Sequence, residues 1–160
     1  MVASIIAAVS ALAGAMVAGL MQHLTNTRTV RQARDHQHRA ELADALLDVM
    51  NAVVRFRQEQ WLKHAAVAEG KPDTGEARRL RYEARTALTR AWDRVHLLTA
   101  DTALLAAVQK ARNTAIAVSE VPTDDTPEAE AARRQVRQES RQAHTDLRVL
   151  AARHLRTIRP

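Results

Sequence analysis

Between Leu20 and Glu69 the chain contains neither proline nor glycine. These two residues punctuate backbone structure most strongly, so a run this long without them, in an alanine-, arginine- and leucine-rich sequence, predicts long uninterrupted helix. The whole chain has four glycines and four prolines in 160 residues. Apart from Gly14, Gly19 and Pro160, they gather where loops are expected. Glu69-Gly70-Lys71-Pro72-Asp73-Thr74-Gly75 reads as one turn, and Ser119–Pro127, bracketed by Pro122 and Pro127, reads as another. The expected fold is therefore all-α.

Apolar spacing places the helices. After the polar stretch Gln22–Gln37, a stripe of Ala43, Leu46, Leu47, Met50, Val53 and Val54, followed by Trp61 and Leu62, predicts a helix over about 28–68. Leu80, Ala84, Ala87, Leu88, Ala91, Val95 and Leu98 recur at three- and four-residue steps, a coiled-coil-like seam on a helix over about 76–118. Thr99-Ala100-Asp101 offers a cap that would break it near 99–101, with Leu104, Leu105, Val108, Ile116 and Val118 on the far side. Thr126 before Pro127 is a start signal for a last helix over 127–157. Its stripe is Val136, Ala143, Leu147, Leu150, Ala151 and Ile158. Glu128 and Glu130 at its start and Arg153, Arg156 and Arg159 at its end suit the helix dipole. The expectation is an antiparallel bundle of three to four helices over residues 25–160. Four aromatic residues in all leave a core of Leu, Val and Ala.

Residues 1–24 form a separate feature. No charge occurs before Arg28. At about 100° per residue, Ala3, Ser4, Ala7, Ala8, Ser10, Ala11, Gly14, Ala15, Ala18 and Gly19 fall on one half of a helix. Val2, Ile5, Ile6, Val9, Leu12, Met16, Val17 and Leu20 fall on the other. An apolar bulky face opposite an apolar flat one is not the pattern of a soluble surface helix. Small residues let backbones approach closely, as membrane helix pairs require. At ~1.5 Å per residue the segment spans roughly one hydrocarbon thickness. A single-pass transmembrane helix is expected, self-associating through Ala3, Ala7, Ala11, Gly14, Ala15, Ala18 and Gly19. Nothing basic precedes Val2, which argues against a cleavable signal peptide. Arg28, Arg31, Arg34 and Arg39 follow closely and face only Asp35. The positive-inside rule then puts the bundle in the cytoplasm and Met1 outside, with those arginines able to touch anionic headgroups. The helix either runs on into the bundle or hinges near Thr25–Thr29.

Sites for chemistry are sparse. There is no cysteine, hence no disulfide or thiolate metal site. The seven histidines include no pair at the i, i+4 spacing of a helical zinc site. His36 and His38 point to different sides, and His154 reads as a partly buried, satisfied group. No glycine-rich phosphate loop and no nucleophile elbow occur. The chain is thus expected to be no enzyme and to carry no cofactor, metal or catalytic residue. Residues 133–159 hold eight arginines against Glu139 and Asp146. Arg134, Arg137, Arg141 and Arg148, with Arg159, share a narrow arc that could follow phosphates or rest on an anionic membrane. No aromatic stacking platform accompanies them, so nucleic acid is not the favoured partner. Pairing with the acidic loop Glu120–Glu130 is the simpler reading.

Ser4-Ile5-Ile6-Ala7, Leu12-Ala13-Gly14, Gly19-Leu20 and the exit Thr27-Arg28-Thr29-Val30-Arg31-Gln32, with Trp61 ahead of a polar turn and an Ala/Arg helical remainder, resemble the KilB-like plasmid transfer proteins. These are small membrane-associated proteins of high-GC mycelial bacteria. The resemblance implies a part in plasmid transfer or spread by membrane-associated assembly. The expected function is a membrane-anchored, self-associating homo-oligomer that meets other membrane transfer proteins. A pore- or filament-forming subunit and a basic accessory factor for DNA or anionic lipid are the alternatives.

Overall fold

The computed structural model describes the backbone of residues 2–122, 124 and 126–157, and the side chains of residues 29–122, 124 and 126–156. Four helices follow one another: α1 (Val2–Ala68), α2 (Gly75–Leu98), α3 (Thr102–Glu120) and α4 (Pro127–Thr157). The described residues contain no strand. α1 is unbroken, without a hinge at Thr25–Thr29. The chain divides into two compact units, residues 1–40 and 41–160.

In the first unit Arg31 and Arg34 are exposed and Arg39 is half-buried. The side chains of Ala3, Ala7, Ala11, Gly14, Ala15, Ala18 and Gly19, and of Arg28, lie outside the described residues. The spanning segment expected over 1–24 falls there too. Among the described residues no helix is long and apolar enough to cross a membrane.

The second unit is a four-helix bundle whose neighbours run antiparallel. Asp48 pairs with Arg94 and Arg55 with Glu83, so α2 descends as α1 rises. Asp101 pairs with His154 and Lys110 with Asp146, which sets α4 against α3. The break after Leu98 is a reversal, not a kink. Trp92 Nε1 donates to Gln109 Oε1 at 2.9 Å. A straight helix would hold those residues roughly 25 Å apart. The 76–118 stretch therefore forms two helices, and the bundle has four. Leu46, Val49, Val53 and Phe56 of α1 meet Leu88 and Val95, Leu104 and Val108, and Leu147 in a single core. Alanines 84, 91, 111, 115, 143 and 151 fill the tight positions between them.

Local chemistry fixes each helix end. Thr74 Oγ1 caps α2 by accepting from Ala77 N at 3.1 Å. Asp101 caps α3, accepting from Leu104 N at 2.9 Å. That N–H, ahead of His154, holds the Asp101 carboxyl below the usual carboxylate range. Thr126 Oγ1 caps α4 through Ala129 N at 3.2 Å, with Pro127 in the first turn as anticipated. α1 closes in a Schellman motif. Lys71 N donates to Ala66 O at 2.8 Å and Gly70 N to Val67 O at 3.0 Å, with Gly70 at φ 63°. A Cβ at Gly70 would meet nothing within 4 Å, so only the backbone conformation resists substitution there. Gly70→Ala should therefore lower stability by about 1 kcal/mol. Gly75→Ala, inside the first turn of α2 and equally unhindered, should not lower it. Paired urea melts read the difference.

The expected apolar stripe of α1 requires correction. Leu46 and Val53 are buried, but Leu47, Val54, Trp61 and Leu62 are exposed. The packed ridge is instead Leu42, Ala45, Leu46, Val49, Ala52, Val53, Phe56 and Gln60. Two overlapping ladders of three- and four-residue spacing run along this helix, and only one faces the other three helices. The seams of α2 and α3 lie as read. His154 is mostly buried against Asp101 at 3.1 Å.

Candidate anion-binding cleft

The exposed ladder of α1 forms one wall of a cleft. Val54, Arg57, Trp61 and His64 follow one another by three or four residues beside the core ridge, with Gln58 next to Arg57. Arg133, Arg137 and Arg141 repeat every four residues along α4 and make the facing wall. Val118 at the end of α3 and Val121 just beyond it close one end. The cavity measures about 300 Å³.

Among the described residues, four guanidinium groups line this cleft and no carboxylate does. One of them is committed elsewhere: Arg133 Nη1 donates to Pro122 O at 3.0 Å and to Asp124 O at 2.8 Å, fastening the α3–α4 loop. Arg57, Arg137 and Arg141 have no carboxylate partner among the described residues. Arg57 is half-buried, and its Nη1 is enclosed without a hydrogen-bond partner among the described residues. Burial first, and then the neighbouring charge of Arg141, lower the pKa of Arg57.

His64 is shaped by the same field. Its Nε2 lies 3.2 Å from the Val118 carbonyl, which can only accept, so Nε2 carries the proton. Nδ1 is then an acceptor, and it is buried without a partner. Burial lowers the pKa of His64 most. The Val118 carbonyl offsets part of this, while Lys63, Arg133 and Arg137 add to the lowering. Just behind Arg57, His144 is likewise pushed down by burial, then by Arg57 and Arg148. Its Nδ1 and the Oγ of the fully buried Ser140 also lack partners. The seam between α1 and α4 is thus crowded with cationic and donor groups.

Two other clefts differ in this respect. Asp48, Asn51, Arg55, Arg90 and Arg94 line one, where Asp48 pairs with Arg94 at 2.6 Å. Another holds Lys63, Lys71 and Arg81 beside Glu59 and Asp73, and Asp73 pairs with Arg81 at 2.6 Å. Both remain net basic, three cations to one carboxylate in the first and three to two in the second, but each holds an arginine paired with a carboxylate of its own lining.

The arginines expected to share one face of α4 part company. Arg137 and Arg141 enter the cleft. Arg134 pairs with Glu130 four residues earlier, and Arg148 is exposed beyond it. Pairing with the acidic loop accounts for Arg133 and Arg134 only. The α1 wall, Arg57, Gln58, Trp61 and His64, was not visible as a site in the sequence. Its signal is polar residues at i−4, i−3 and i+3 around an exposed tryptophan, beside rather than on the core ridge.

A family model described as KilB plasmid transfer protein matches residues 43–155. The matched span takes in the bundle and the cleft. Of the features that carry the resemblance in the sequence, Trp61 and the Ala/Arg helices fall inside it and the motifs of residues 4–32 do not. No curated protein and no solved structure matches the chain.

Proposed function

Because the chain belongs to the KilB plasmid transfer protein family, we propose that it serves plasmid transfer as a non-enzymatic assembly component. Residues 1–24 seat it in the cell membrane, its bundle faces the cytoplasm, and copies meet through Ala3, Ala7, Ala11, Gly14, Ala15, Ala18 and Gly19. The observation that carries this reading is the unbroken α1. The helix that begins as an uncharged two-faced segment is the one that supplies Leu42 through Gln60 to the bundle. Anchoring and assembly in the membrane would then lie on the same helix that enters the bundle. The basic residues Arg28, Arg31, Arg34 and Arg39 fit a cytoplasmic flank at the headgroups. Other membrane transfer proteins are the partners this role calls for.

Fractionation of cells producing the full chain or a chain lacking residues 1–24, followed by mass measurement in detergent, tests the reading. The full chain should sediment with membranes as an oligomer, and the truncated one should stay in the supernatant as a monomer. Gly14→Leu with Ala15→Leu should keep the chain in the membrane and abolish crosslinked oligomers. Recovery of both chains in the supernatant, or unchanged crosslinking of the double variant, rejects it.

A further inference from the structure

We infer that the cleft between α1 and α4 binds a small soluble phosphate monoester carried on a planar or apolar group of roughly mononucleotide size. This assignment stands apart from membrane seating and rests on the bundle alone.

The charge comes first. Arg57, Arg137 and Arg141 approach one another from two helices with no carboxylate of the described residues between them. Like charges so placed repel, and Arg57 Nη1 in addition is enclosed without an acceptor. A phosphate monoester supplies what is missing: close to two negative charges at neutral pH and three acceptor oxygens. Guanidinium forks bind such oxygens in pairs. A single carboxylate offers two oxygens and one charge to the same three groups.

Shape and lining select the rest of the molecule. A cavity of about 300 Å³ is at the lower end of small-molecule sites. It is concave, whereas a DNA duplex presents a convex backbone and would rest on the outer arginines Arg134 and Arg148. Val54, Val118 and Val121 give the cleft apolar wall, and Trp61, 50% exposed, gives it a flat aromatic face. A ring can stack there. The neutral His64 leaves Nδ1 as an acceptor, and Gln58 offers both a donor and an acceptor. The cleft thus has a phosphate side, an apolar platform and polar groups suited to an amino or hydroxyl substituent.

The test is isothermal titration of the full chain in non-ionic detergent at fixed ionic strength. The probes are adenosine 5′-monophosphate, adenosine and inorganic phosphate. Saturable one-to-one binding of the monophosphate, competition by inorganic phosphate and no binding of adenosine are expected. Arg137→Gln and Arg141→Gln should each weaken the monophosphate about tenfold, and Arg134→Gln less than about twofold. Trp61→Leu should weaken the monophosphate about fivefold and leave inorganic phosphate unchanged. Circular dichroism melts confirm that each variant is folded. Absence of saturable binding by folded protein overturns the proposal. So does a loss in Arg134→Gln equal to that in Arg137→Gln, which would mark general surface charge. Binding only to vesicles containing phosphatidic acid, with none to the soluble probes, overturns it in favour of a membrane-facing surface.

Discussion

Leu46→Ala should destabilise the bundle by about 2–5 kcal/mol, while Leu47→Ala, one residue on, should change its stability by less than about 0.5 kcal/mol. Leu46 is 1% exposed and belongs to the core cluster, and Leu47 is 53% exposed. Truncating Leu46 removes methyl groups from water-free contact and leaves a cavity. The alanine-rich neighbours on α2, α3 and α4 have few side-chain atoms with which to close it. The bundle has little reserve to absorb the loss. Its core contains one aromatic residue, Phe56, and its largest other members are leucines and valines. Domains of this size are stable by only about 5–15 kcal/mol, so the Leu46 variant should lose a large share of its folding free energy. Chemical denaturation of the pair decides the point. Similar midpoints for the two variants would contradict the assigned orientation of α1.

That pair also marks where sequence periodicity stopped being informative. Helix boundaries were legible because they depend on local chemistry: Asp101 and Thr126 cap where the sequence offered caps, and the turn read over Glu69–Gly75 contains Gly70, which closes α1, and Thr74, which opens α2. The seams of α2 and α3 were legible because each of these helices carries one dominant apolar ladder. α1 carries two, and choosing between them needs the positions of three other helices. Leu47, Val54 and Trp61 are apolar by type, yet exposed because the bundle lies on the adjacent ridge. The cleft was half legible for the same reason. Arg137 and Arg141 stood out as an arginine stripe, but Arg57 and His64 join them only because α4 packs antiparallel to α1. Nothing local to residues 54–64 announces that pairing. The reversal at 99–101 was readable as a cap and not as a turn-back, since a capped break can continue onward or reverse.

Arg57→Met should make the ligand-free bundle more stable by about 1 kcal/mol and abolish its response to a phosphorylated ligand. The guanidinium is half-buried, one of its nitrogens has no partner, and Arg141 adds repulsion. Methionine keeps the aliphatic contact along α1 and removes the unpaired donor and the charge. A group selected for folding alone would not sit in that condition, whereas binding groups often do. Added ligand should reverse the order of the two proteins. Ligand that binds only the folded state stabilises by about 2.7 kcal/mol at a hundredfold excess over its Kd. Wild type should therefore melt below Arg57→Met alone and above it in saturating adenosine 5′-monophosphate. Thermal melts of both proteins with and without the monophosphate provide the four values required. If Arg57→Met melts lower than wild type without ligand, the guanidinium is a structural tie between α1 and α4, and the cleft's uncompensated charge is part of how the bundle holds together.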